Sequence, residues 1–88
     1  MSKQAFLARV YVSLKPTVND PQGTTIASAL ESLGFAGVED VRSGRFLQVS
    51  LAAEDRAAAE TAVDDMCARL LANPVIETYS FEIEAAES

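Results

Sequence analysis

Between residues 5 and 14, AFLARVYVSL, apolar and polar positions alternate. Phe6, Ala8, Val10, Val12 and Leu14 fall on one face, with Leu7, Arg9, Tyr11 and Ser13 on the other. A period of two over ten residues predicts a strand buried on its even-numbered face. Lys15-Pro16 ends it, because proline offers no N–H to a ladder. Thr17 to Gly23, TVNDPQG, is dense in turn formers and predicts a loop. Beyond it the period becomes helical, with Ile26, Ala29, Leu30 and Leu33 on one stripe. Thr24 or Thr25 is the expected N-cap and Gly34 the expected left-handed stop, followed by Phe35.

Val38 to Leu51 predicts a hairpin: VEDVR and RFLQVSL flank Ser43-Gly44, and a glycine at a tight turn supplies positive φ. From Glu54 or Asp55 to Ala72 strong helix formers carry a stripe of Ala59, Val63, Met66, Cys67, Leu70 and Leu71. Acids in its first turn and Arg69 near its end suit the helix dipole, and Asn73-Pro74 stops it. The last strand is VIETYSFEIE, with Tyr79, Phe81 and Ile83 alternating with Thr78, Ser80, Glu82 and Glu84. The tail AAES is expected to be too short and polar to fold.

The order strand, helix, strand, strand, helix, strand predicts an α+β, ferredoxin-like β-α-β-β-α-β domain. Each helix is amphipathic on one side only, so both are expected on one face of a mostly antiparallel four-stranded sheet. With 88 residues the chain reads as one domain, 1–88, with an ordered core of about 4–84. A compact fold of that length has a radius of gyration of about 12 Å. Leu7, Tyr11 and Phe46 then point away from the helices. Such a face is a candidate for burial against another copy, against the plainer reading of scattered surface hydrophobics.

Charge removes one class of partner. Seven Lys plus Arg against 13 Asp plus Glu leave −6, so the clustered cations that neutralise nucleic-acid phosphates are missing. Absent histidine takes away the commonest general acid–base and the commonest metal ligand. Lone Cys67 makes neither an internal disulfide nor a Cys/His zinc set. No apolar run approaches the roughly 20 residues of a membrane span, and the opening MSKQAFLARV lacks a signal-peptide core. A soluble, cytoplasmic protein without membrane or nucleic-acid partners is expected.

The remaining candidate chemistry is thin. Cys67 lies on an apolar stripe with no activating base, which favours a core role over a nucleophile. Glu54-Asp55 and Asp64-Asp65 are sequence neighbours about 100° apart on a helix, so neither pair converges as an acid and a base. Asp20-Pro21-Gln22-Gly23 precedes a helix start, where anions bind, but it lacks a phosphate-loop pattern and Asp20 repels phosphate. Loop and cap, or contact with a partner, are its readings. Arg42 and Arg45 flank the turn, either pairing with an acidic or phosphorylated partner or solubilising it. No catalytic, metal or cofactor set emerges. The residues alone leave an assembly subunit and a small-molecule-binding ferredoxin-like regulatory module both open.

In order along the chain, Val10-Tyr11-Val12-Ser13-Leu14-Lys15-Pro16, Asp20-Pro21-Gln22-Gly23, Ala29-Leu30 with Leu33-Gly34, Val38-Glu39-Asp40-Val41-Arg42, and Asn73-Pro74-Val75-Ile76-Glu77 with Tyr79 resemble the PurS family. The likeness runs from about residue 5 to 84, and DPQG followed fifty residues later by NPVIExY is its most specific part. Thr17 stands where the family often has Gly, and Arg45 where it often has Lys. PurS is the small subunit of phosphoribosylformylglycinamidine synthase, a glutamine amidotransferase and ligase of de novo purine biosynthesis. The resemblance implies a non-catalytic assembly subunit that binds no cofactor, within a complex using ATP with Mg. It further implies a homodimer joined to a glutaminase subunit and a large synthetase subunit, aiding ammonia transfer between them; a tetramer is left open. Leu7, Tyr11, Asp20, Pro21, Gln22, Gly23, Arg42, Gly44, Arg45, Phe46, Asn73 and Pro74 are the candidate partner or oligomer contacts.

Overall fold

The structure is a computed structural model and describes residues 3–86. Its elements are β1 (Gln4–Leu14), α1 (Pro21–Ser32), β2 (Gly44–Ala53), α2 (Arg56–Met66) with a π-helical extension (Cys67–Leu71), and β3 (Glu77–Ala85). Strand β1 is central and antiparallel to both neighbours, in the order β2-β1-β3. Val10 stands opposite Leu47 on one side and Phe81 on the other, and Phe6 and Ala8 likewise have apolar partners on both sides. Phe6, Ala8, Val10 and Val12 are all buried there, as the alternation predicts.

Helix α2 covers that face. Ala59, Val63 and Cys67, spaced four apart, are fully buried, and the small Ala59 lets the helix approach the sheet closely. Asp55 caps it by accepting from the Ala58 N–H at 2.8 Å, so the acid beside the first turn is the cap itself. Three ties align helix and sheet. Arg56 donates to the Ile83 carbonyl (2.7 Å), Tyr79 Oη to Asp64 Oδ1 (2.7 Å), and Arg45 Nη2 to the Leu71 carbonyl (2.7 Å). At the C-terminal end the Ala72 N–H bonds to the Cys67 carbonyl, five residues back. That wider turn takes Leu70 off the stripe, and it is exposed rather than packed.

Several expectations are corrected. First, the sheet has three strands, not four: residues 38–43 join no ladder. Arg42 Nη2 donates to the carbonyls of Lys15 (3.0 Å) and Val18 (2.7 Å), so this segment is tied to the loop after β1 instead of to β2. Second, Gly44 is the first residue of β2 and not a hairpin turn; Gly34 alone among the described residues has positive φ. Gly44 is needed because a Cβ there would collide with the Val12 carbonyl oxygen of the adjoining strand. Third, α1 starts at Pro21 with Asp20 as cap, three residues before the threonines. Its end is as expected: Gly34 N–H bonds to the Glu31 carbonyl and Phe35 N–H to that of Leu30, the two bonds of a Schellman motif.

The fourth correction matters most. Only α2 lies on the sheet. Gly23 is the one buried residue of α1, while Ile26, Leu33 and Phe35 are exposed. The radius of gyration is 17.0 Å and the molecule measures 57 × 29 × 14 Å, far from the compact 12 Å form. At the other end, Ala85 belongs to β3 and the Ala86 N–H bonds to the Ala5 carbonyl at 2.9 Å, so half of the AAES tail is structured. Glu87 and Ser88 lie outside the described residues, as do Met1 and Ser2.

Candidate assembly surface

Where β1 ends and β2 and β3 begin, the polar side chains of the chain concentrate. The Asp20 carboxylate is buried, at 3% exposure, which costs free energy unless its lone pairs are filled. They are. Oδ1 accepts from the Gly23 N–H (2.9 Å), Oδ2 from the Ser43 N–H (2.6 Å), and the Ser43 hydroxyl lies 3.0 Å from both oxygens. One side chain thereby caps α1 and anchors the start of β2. The Gly23 and Ser43 amides, with the charge of Arg42 nearby, hold this carboxyl below the usual carboxylate range.

The sheet register sets Arg45 opposite Val12 and Glu77 opposite Leu14, both on the α2 side of the same end. They meet in a two-pronged ion pair, Nη1 to Oε2 and Nη2 to Oε1, each 3.0 Å. Glu77 Oε1 also accepts from the Asn73 N–H at 2.7 Å, and Asn73 Oδ1 from the Val75 N–H at 3.0 Å, which closes the 73–77 turn. The Asn73 amide and then Arg45 depress the Glu77 carboxyl. Asn73-Pro74 is thus more than a helix stop. It opens a turn clamped by Glu77 that leaves Val75 exposed and Ile76 partly so.

Leu14, Asp20, Pro21, Gln22, Ser43, Gly44, Arg45 and Glu77 line an open cleft of about 460 Å³. The fold therefore brings five of the sequence candidates together, with Gly23 packed just beneath and Arg42 on an adjoining smaller cleft. Sequence reasoning passed over Ser43 and Glu77. The NPVIExY likeness was the available signal for Glu77, and nothing local marks Ser43. The polar walls are already committed: Arg45 to Glu77 and Leu71, Asp20 to Gly23 and Ser43. Among the described residues no three His, Cys, Asp or Glu side chains stand together to hold a metal ion. Cys67 is buried among apolar neighbours, and that burial pushes its thiol up, away from the reactive thiolate.

A separate patch lies on the sheet face away from α2. Tyr11 and Phe46, paired across strands, stack with ring centroids 5.3 Å apart at 31°, and both are about half exposed, with part-buried Leu7 four residues along β1 on the same face. Polar ties frame them: the Tyr11 hydroxyl donates to Glu82 (3.0 Å) and Arg9 pairs with Glu84 (2.7 Å). The expected orientation of these three side chains is met. No described helix is long and apolar enough to cross a membrane.

Acid should test the clamp directly. Folded-state pKa values of Asp20 and Glu77 are depressed, so their stabilisation is fully present above the ordinary carboxylate pKa of about 4 and drains away as pH falls through the folded values. Denaturant midpoints are expected to be flat from about pH 7 to 5 and to fall steeply below about 4. In Asp20→Asn the acid-side slope should be shallower. An unchanged slope would remove Asp20 from the account.

Fold and surface together define a class: a small α+β module whose polar interior groups are spent on its own architecture and several of whose large apolar side chains, Leu33, Phe35, Phe46, Leu70 and Val75 among them, are exposed. Comparison with known proteins narrows this. The family model of PurS, phosphoribosylformylglycinamidine (FGAM) synthase, matches residues 7–85, and the chain belongs to the PurS family. It is 48% identical over 83 residues to the phosphoribosylformylglycinamidine synthase subunit PurS of Synechocystis sp., covering 94% of this chain and 83% of that one. The PurS structure from Bacillus subtilis superposes with a TM-score of 0.79 at 43% identity, covering 90% of this chain and 98% of its own. A chain in the structure of PurLQS from Thermotoga maritima does so with a TM-score of 0.84 at 30% identity, covering 91% and 98%.

Proposed function

We propose that this chain is the small, non-catalytic subunit of phosphoribosylformylglycinamidine synthase, the glutamine-dependent amination step of de novo purine biosynthesis. As one domain spanning residues 1–88, it works in the cytoplasm as a homodimer that bridges the glutaminase subunit and the large synthetase subunit. ATP and its Mg belong to the large subunit, and this chain holds neither. Its role is to fix the other two subunits so that ammonia passes between their sites without escaping to water. The observation that supports this reading most is the near-full-length likeness to a chain in PurLQS. The committed polar side chains and outward apolar ones described above agree with a contact role. Its contacts are drawn from the cleft and turn (Asp20 to Gly23, Arg42, Gly44, Arg45, Asn73, Pro74) and from the Leu7–Tyr11–Phe46 face.

Reconstitution provides the test. With purified glutaminase and large subunits, glutamine-dependent amination is expected only when this chain is added, while amination driven by free ammonia proceeds without it. Equal glutamine-dependent rates in its absence would dismiss the bridging role.

A further inference from the structure

From the aromatic side of the sheet we infer a docking site for an arginine-bearing surface of the large synthetase subunit, with Tyr11 and Phe46 as platform and Glu82 as counter-charge; this rests on the bridging reading above. The face opposite α2 has no cover of its own. Tyr11 and Phe46 stand directly across the β1–β2 pair with their rings 5.3 Å apart, and about half of each is exposed. Single surface aromatics are ordinary, but two in contact on an open sheet form a platform that a free chain gains nothing by leaving wet. Charge beside this platform is unbalanced. Arg9 stands opposite Glu82 in the register, yet its guanidinium reaches Glu84 instead, at 2.7 Å. Glu82 is left with the Tyr11 hydroxyl, which donates to it at 3.0 Å. Among the described residues no cation comes within ion-pair distance of Glu82.

That pairing selects the occupant. A neutral hydroxyl orients a carboxylate without cancelling its charge, so the edge of the platform keeps one negative charge beside two aromatic faces. Arginine answers both, because its plane stacks on a ring while its N–H fork pairs with a carboxylate. A second copy of this chain is the wrong occupant here: it would bring the same uncancelled Glu82 to the contact and another −6. Around the rings the face is polar and uncharged at Gln48 of β2 and Ser80 of β3, both exposed. An aromatic centre inside a polar rim suits a protein surface better than a lone small cation. Of the two partner subunits the large one handles ATP, a polyanion bound through arginine and lysine, and it is therefore the one assigned the cation.

The test uses the reconstituted three-subunit enzyme, with the photoreactive residue p-benzoylphenylalanine in place of Phe46 in the full-length chain. On irradiation the inference expects cross-links to the large subunit, at a segment containing arginine. Cross-links to the glutaminase or to a second copy, or none from an assembled complex, overturn it and leave the bridging reading standing. Separately, Glu82→Lys is expected to raise the chain concentration that half-saturates glutamine-dependent amination by about tenfold or more, because two cations then meet. Glu82→Gln should cost less and should flatten the loss of affinity between about 50 and 300 mM salt, which a purely structural Glu82 would not do. Half-saturation unchanged in both variants also overturns the inference. If the unaltered chain neither joins the complex nor supports amination, the bridging reading falls and this inference with it. Should the Phe46 variant fail to fold, the probe moves to exposed Ser80, opposite Tyr11 on β3, and is read in the same way.

Discussion

Gly23→Ala is expected to destabilise the protein by about 2–3 kcal/mol, an overpacking effect. The added methyl would overlap the Val41 carbonyl oxygen and stand 2.9 Å from Asp20 Oδ2. Alanine is the better helix former by up to about 1 kcal/mol, so propensity alone argues for stabilisation. The clash wins because the obstacle is backbone and cannot swing aside. Val41 is followed by Arg42 and Ser43, which are bonded to the 15–20 loop and to Asp20. Relief would require separating Ser43 from the Asp20 carboxylate, which would then be buried with unfilled lone pairs. A fall in melting temperature of roughly 10–20 °C should follow for a domain of this size. A melting curve for Gly23→Ala unchanged or raised would mean that α1 and the 38–43 segment are not in contact.

Leu33→Asp should act on association and leave the fold alone. The side chain is 74% exposed in the single chain, so the free chain loses almost no packing, and a change in melting temperature of only a degree or two is expected at low concentration. If a second copy covers Leu33, a carboxylate there must be desolvated without a partner, on a chain that already carries −6. Interface side chains of this kind are worth about 2 kcal/mol or more, and 1.4 kcal/mol is a factor of ten. Sedimentation equilibrium should therefore show self-association weakened by about thirtyfold or more, with the far-ultraviolet spectrum of the monomer retained. Unaltered association would place the interface elsewhere, with the Tyr11–Phe46 face the next to examine.

The site was half legible. DPQG stood out as turn chemistry before a helix, but the threonines that follow it are also acceptable caps on local rules. What made Asp20 the cap is its second partner, Ser43, 23 residues away. Likewise, Arg42 and Arg45 read as free turn cations until the fold supplied Lys15, Val18, Glu77 and Leu71 as acceptors. The Tyr11–Phe46 face needed no such help, because alternation within a strand assigns each residue a side.

From its own order of residues the chain determined both helices and three of the four expected strands, the buried face of β1, the stripe of α2 and the Schellman end of α1, because period and capping are near-neighbour properties. It also fixed, through −6, absent histidine and a single cysteine, which side chains were available for chemistry. Tertiary structure alone decided that 38–43 is an anchored segment instead of a fourth strand, and that α1 runs past the sheet instead of over it. Both outcomes turn on a few hydrogen bonds between residues more than twenty positions apart, where an amphipathic pattern records that a helix has an apolar side but not which chain will cover it.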